Sequence, residues 1–437
     1  MSETVISSWT RLVRDNPSAP ALTEAASGRT WTRAELDTEA GAWRDALTDD
    51  VGGQCVTFAL PNGTAWFAVF LGLLRAGATP VPLDSSEPAP AHRELAISAR
   101  AAWSWIDGRL EHAVTGLRRS RTFSCLVKLT SGSTGRPRAL RFTDAKMLAD
   151  GRQVCAGMGI TPDDVNFAVI PFGHSYGLGN LVMPILVQGT PLVCAGVPLP
   201  HSLAADIAKW KPTVFPAVPA LLRALAASDL PADALGSLRT VISAGAPLSP
   251  EIARAFFDKF NLPPHSFYGS SETGGIAYDR TGEATLTGRS VGTPLGGVTI
   301  TPLRGGRIRV TSAAVMARGG FSPADKVALN EHGELVLQGR AGRLMKVAGR
   351  RINLADLERA LRTVPGVRDA FAAPHPQNPE ELAAVLATSH DIAALRGLLR
   401  THFAAWKIPR RLVIVAEFPL TARGKPDSAA LTALLIR

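Results

Sequence analysis

Cysteine is scarce in this chain of 437 residues, which has four. Cys55, Cys125, Cys155 and Cys194 stand far apart among Val, Leu and Ala, with no Cys-x-x-Cys and no His at ligand spacing. That arrangement argues against a disulfide framework or a zinc site, and each thiol is expected to be a small buried apolar residue. Charge is also sparse. With 19% charged against 46% hydrophobic residues, the composition excludes a disordered chain and fits a packed protein of two or more domains. Long apolar runs are lacking too: the longest, 65–74, is too short to cross a bilayer and predicts a buried helix. The opening MSETVISSWTRLVRDN carries charges where a signal peptide would be apolar, which places the protein in the cytoplasm without membrane insertion. No repeat, low-complexity tract, His/Cys ligand cluster or Walker sequence is present.

What is present is concentrated at 129–140, LTSGSTGRPRAL, where Thr130, Ser131, Ser133 and Thr134 surround Gly132 and Gly135. Hydroxyls and unencumbered backbone N–H groups can converge there on one anion, and Arg136 and Arg138 add positive charge. The apolar run before it predicts a strand, and Pro137 is expected to stop regular structure after it. Elsewhere the pattern alternates. A strand at 56–60, a helix at 65–76 capped by Thr64 and closed by Gly77, a helix from Asp144, and strands at 191–195, 213–218 and 238–243 separated by helices predict an α/β protein with a largely parallel sheet. Net charge is +10, and from Arg340 onward 16 basic residues face 8 acidic ones. The asymmetry points to an acidic partner such as a nucleotide, CoA or an acidic protein; nucleic acid is the generic alternative, and no motif for it accompanies the charge.

The hydroxyl-rich loop resembles the phosphate-binding signature of the adenylate-forming superfamily, which contains the acyl- and aryl-CoA ligases, peptide-synthetase adenylation domains and luciferases. Further segments resemble that family's signatures in its order: AGATPVPLD before Ser85, PFGHSYG at 171–177, AGAP at 244–247, SFYGSSETGG at 266–275, GRSVGTP at 288–294, the stretch from Asp325 to Arg340, AGRLMKVAGRRINL at 341–354, and the loop around Lys425. The resemblance implies a large N-terminal domain of mixed, mostly parallel sheets flanked by helices (1–339), a hinge (340–343) and a small mobile α+β C-terminal domain (344–437). It also implies ATP and Mg²⁺ as cofactors, a small carboxylic acid as substrate, and CoA or the phosphopantetheine of an acidic acyl carrier protein as acceptor.

The same resemblance implies the site. Thr130, Ser131, Gly132, Ser133, Thr134, Gly135 and Arg138 would hold phosphates. Gly245, Ala246, Pro247, Tyr268 and Gly269 would border the adenine, Ser271 the α-phosphate, and Asp325 and Arg340 the ribose. Glu272 would be the Mg²⁺ ligand. His174, Ser175, Tyr176, Gly245, Gly274 and Gly275 would form the acid pocket, with Lys425 and His174 acting at the carboxylate. PFGHSYG carries no Asp for a substrate ammonium, so His174 favours a plain aromatic or medium-chain acid over an amino acid. Departures from the family pattern are Arg138 for Lys, Ala139 for Gly, Ser271 for Thr, Ala324 for Gly, and Gly342 or Arg343 at the hinge. They leave a non-catalytic ligand-binding member as an alternative.

Overall fold

The computed structural model describes residues 3–47, 50–86, 89–115, 117, 124–130, 137–340, 344–419 and 427–436. Ser131 to Gly135, Gly342, Arg343 and Lys425 lie outside the described residues.

Short apolar runs such as Val214–Ala217 and Thr240–Ser243 are buried at every position, as strands covered on both faces must be. They sit in a nine-stranded sheet. Parallel pairing runs from Pro264–Ser270 through Thr240–Ser243, Val214–Ala217, Asn166–Ala168 and Leu192–Cys194 to Pro20–Glu24, with antiparallel strands at both edges. The intervening helices carry local start and stop signals. Helix Pro250–Phe260 begins on Ser249, whose side chain accepts from the Ile252 N–H, and ends on left-handed Asn261. A second sheet pairs Thr79–Pro82, Cys55–Phe58 and Trp103–Ile106 in parallel.

The buried helix expected at 65–76 is Thr64–Arg75. Its Trp66 packs among Phe58, Phe67, Phe70 and Phe172 with ring centroids no more than 5.5 Å apart. Thr64 does not cap it, however. Gly63 holds the cap position, and the Thr64 N–H instead donates to Glu24 Oε1 at 2.9 Å, a long-range partner that replaces the local one. Pro137 likewise does not end regular structure: strand Arg138–Phe142 starts directly after it and pairs antiparallel with Leu126–Thr130. All four cysteines are buried and unpaired, as their neighbours suggest. Among the described residues no helix is long and apolar enough to cross a membrane.

Beyond residue 343 the chain forms a hairpin, Leu344–Val347 with Arg350–Asn353, and a three-stranded sheet of Val367–His375, Asn378–Thr388 and Arg411–Val415. Helices Leu354–Leu361, Ile392–His402 and Ser428–Ile436 accompany them. Among the described residues no apolar core cluster mixes side chains from the two sides of 341–343. Separate cores are what give each part its own stability. The molecule is thus an α/β N-terminal domain with a smaller α+β C-terminal one.

Candidate active site

Loops leaving the carboxyl ends of the parallel strands gather at one end of the large sheet, where open α/β sheets take ligands. The segment after Asn166–Ala168 is clamped by Asn62, whose Nδ2 donates to the Ile170 carbonyl at 2.8 Å while its Oδ1 accepts from the Phe172 N–H at 2.8 Å. This fixes His174, whose Nε2 is 2.9 Å from Asp84 Oδ2. Arg350 of the small domain reaches the same oxygen at 3.0 Å. Burial would raise the Asp84 carboxyl, but the His174 hydrogen bond and the nearby Arg350 charge outweigh it and hold the acid well below its ordinary range. Ser175 donates to Ser271 Oγ at 2.8 Å, and the buried Tyr176 hydroxyl donates to the Ile242 carbonyl at 3.1 Å.

Strand Pro264–Ser270 turns back into Gly274–Tyr278, and the turn carries Ser271, Glu272 and Thr273. Tyr268, buried, donates its hydroxyl to Asp325 Oδ2 at 3.0 Å, and Arg340 stands opposite Asp325 in the strand register. Glu272 is 6% exposed. One of its oxygens, Oε1, lies 3.7 Å from Arg351 Nη1, and the other, Oε2, is buried with no hydrogen-bond partner among the described residues. An orphaned buried carboxylate oxygen is costly, and a hard-oxygen donor in that condition suits a divalent cation such as Mg²⁺.

The small domain closes the site through its hairpin turn, Ala348 and Gly349, with φ of 47° and 80°. Two successive positive φ values mark a two-residue hairpin turn. Gly245 has φ +90°, and a Cβ placed on it would come within 2.7 Å of Gly349 Cα, so both glycines are needed for the backbones to meet. Between the domains lies a cleft of about 1090 Å³, lined by Thr130, His174 and Ser271 on one side and by Lys346, Arg351 and Trp406 on the other. The family model of AMP-binding enzymes matches residues 9–114 and 118–341 of this chain, and that of the AMP-binding enzyme C-terminal domain matches 356–425. The chain belongs to the AMP-binding enzyme family.

Two relatives of this AMP-binding enzyme are CoA ligases. The sulfoacetate–CoA ligase of Cupriavidus necator is 27% identical over 94% of this chain and 93% of its own. The 2-hydroxy-7-methoxy-5-methyl-1-naphthoate–CoA ligase of Streptomyces carzinostaticus is 29% identical over 70% of this chain and 62% of its own. Among solved structures, the amide bond synthetase McbA from Marinactinospora thermotolerans matches with a TM-score of 0.81 at 23% identity, covering 97% of this chain and 99% of that one. At that identity the likeness shows the fold.

Of the residues singled out in the sequence, Thr130, His174, Ser175, Tyr176, Gly245, Gly269, Ser271, Gly274 and Gly275 line the cleft of this AMP-binding enzyme. Tyr268, Glu272 and Asp325 stand behind that wall, and Ala246 and Pro247 follow Gly245 on the same loop. Arg138 is exposed, opposite Thr130 in the hairpin register. Sequence reasoning missed Asp84, although it ends a quoted segment, because nothing local announces that His174 will reach it. It also missed Lys128 and Asp150, which line the cleft from a strand and a helix. Arg350 and Arg351, two of the basic residues behind the charge asymmetry beyond Arg340, are turned onto Asp84 and Glu272.

Proposed function

We propose that this AMP-binding enzyme is an acid–thiol ligase that activates a carboxylic acid as its acyl-adenylate and passes the acyl group to the thiol of CoA. The observation that carries the reading is the buried, half-unpartnered Glu272 beside Ser271 at the mouth of the sheet, with His174 held on the same wall of the cleft by Asp84. In the first half-reaction a substrate carboxylate oxygen bonds to the α-phosphorus of ATP and the bond to the β-phosphate bridging oxygen breaks, releasing pyrophosphate. Such chemistry rests on positioning and charge neutralisation rather than on a protein nucleophile. Tyr268 would offer its ring to the adenine and Asp325, with Arg340 opposite, the ribose; Ser271 would hold the α-phosphate, and Thr130 with the following 131–135 loop and Arg138 the departing phosphates. Glu272 would hold Mg²⁺, which when bound supplies positive charge to the phosphates. Lys425 would bridge carboxylate and α-phosphate, a role carried by resemblance.

In the second half-reaction the thiol sulfur bonds to the acyl carbon, AMP leaves, and the thiol proton passes to solvent. The small domain presents hairpin 344–353 to the cleft. We read this arrangement as the thiol-accepting one, with a swivel near 340–343 bringing Lys425 in for adenylation. The names of the curated relatives support CoA as acceptor. An acidic carrier protein gains less support, since Arg359 and Arg362 are already paired with Asp356 and Asp369.

The acid is read as aromatic or of medium chain length without an α-ammonium group. Asp84 is engaged by His174 and Arg350, so it is not offered alone to a cation. Pyrophosphate release across a panel of aromatic, aliphatic and amino acids, followed by thioester or amide formation with CoA, carrier protein or an amine, tests every part. A chain that releases no pyrophosphate with any acid would be a non-catalytic ligand binder. Lys425→Ala should abolish adenylation and spare thioester formation from preformed acyl-adenylate, and equal loss of both would sink the two-position scheme.

A further inference from the structure

Lys128 has no part in the chemistry above. It occupies the middle of strand Leu126–Thr130, two residues before the hydroxyl-rich loop begins, and its side chain points past Phe142, with Nζ 4.5 Å from that ring's centroid. It is 5% exposed yet lines the cleft. Asp150, on helix Asp144–Met158, is 4% exposed and lines it too. The Gly275 N–H donates to Asp150 Oδ1 at 2.9 Å, whereas Oδ2 makes no hydrogen bond among the described residues and stands beside Gly179. A side chain on Gly274, whose φ is +71°, would run into this carboxylate. Asn180, 1% exposed, lines the cleft as well, and its Oδ1 is buried without a hydrogen-bond partner among the described residues. Burial drives the Lys128 ammonium down and the Asp150 carboxyl up, and each opposes that effect on the other.

The cleft therefore holds a buried ammonium donor, with Asp150 close enough to act on its charge, and two acceptors unfilled among the described residues. Buried polar groups left in this state are costly unless something satisfies them. A second anion on the substrate would be drawn to Lys128 but repelled by Asp150, and a cation the reverse. A hydroxyl suits both, because its oxygen accepts from Lys128 Nζ while its proton goes to Asp150 Oδ2 or Asn180 Oδ1. Tyr176 and Phe267, with ring centroids 6.2 Å apart, supply flat apolar surface along the same cleft. We propose that Lys128, Asp150 and Asn180 form the specificity-determining end of the acid pocket and select a carboxylic acid that also bears a hydroxyl group. The inference rests on reading the cleft as the acid site of an adenylating ligase.

The test is pyrophosphate release with acids that differ by one hydroxyl: benzoate against 3- and 4-hydroxybenzoate, and hexanoate against 6-hydroxyhexanoate. Benzenedicarboxylates and aminobenzoates serve as the charged and amine arms. For the wild type, kcat/KM for a hydroxylated acid should exceed that for its plain partner by about 100-fold or more, since a site built around a hydroxyl leaves its polar groups unpaired without one. Lys128→Met and Asp150→Asn, checked for folding by thermal melts and ATP binding, should each shrink that ratio to within about tenfold. The wild-type ratio decides even if one variant does not fold. Equal use of plain and hydroxylated acids, or preference for a dicarboxylate or an amino-substituted acid, overturns the hydroxyl assignment while leaving adenylation standing. Release with no acid at all overturns both.

Discussion

At Asp84 a single carboxylate oxygen serves two donors, His174 from the large domain and Arg350 from the small one. Its folded pKa lies below the ordinary 3.8, so the stability it contributes is fully present above that value and is lost as pH falls toward the lower folded one. Asp84→Asn should cost about 2 kcal/mol at neutral pH, as expected for a charge-assisted hydrogen bond in a mostly buried setting. Thermal melts of both proteins should differ by a constant amount between roughly pH 7 and 5 and converge only below about 4. A gap that closes near the histidine range would mean that His174, not Asp84, sets the energetics. Glu272 makes a different demand, because its Oε2 oxygen has no hydrogen-bond partner among the described residues. Glu272→Gln should keep the fold and acid binding yet slow adenylation by about 10²- to 10³-fold, with partial rescue at high Mg²⁺. Full activity of that variant in a pyrophosphate assay would place the metal elsewhere.

At the scale of elements, hairpin 344–353 is one of the parts of the small domain that line the cleft, and its turn decides how closely it can approach the large domain. Gly349 faces Gly245 and Val218, and a Cβ on it would meet Val218 Cγ1 at 2.8 Å. Gly349→Val should therefore hold the hairpin off the large domain, slowing thiol transfer more than adenylation when the two half-reactions are timed separately. Equal slowing would show that the hairpin acts in both. Ala348, at φ 47°, adopts a conformation that costs a non-glycine residue about 1 kcal/mol. Ala348→Asn should recover part of that, read as a higher urea midpoint.

For the whole molecule the +10 charge is less available than it looks in the sequence. Arg350 and Arg351 join the two domains through Asp84 and Glu272, and Arg359 and Arg362 have acidic partners within the small domain. Arg350→Ala combined with Arg351→Ala should loosen the closed arrangement, giving a larger radius of gyration in solution scattering at low salt; an unchanged radius would assign closure to the hairpin backbone alone. Reversing Arg359 and Arg362 to Glu should leave CoA-dependent transfer within about twofold across ionic strength, because exposed pairs of this kind contribute little. Strong slowing confined to an acidic carrier protein would revive the carrier as acceptor.

Local chemistry made much of this protein legible from its sequence alone. The alternating strand and helix runs and the small residues at strand ends carry their meaning within a few residues, because backbone propensity is a short-range property. The buried cysteines and the apolar helix Thr64–Arg75 followed from composition in the same way. Only the tertiary structure decided which charges meet. Asp84 with His174 and Arg350, Glu24 at the Thr64 N–H, Arg351 on Glu272, and Lys128 across from Asp150 are all separated by long stretches of chain. A charged side chain takes whichever partner packing brings to it when water is excluded, and no sequence pattern encodes that choice locally.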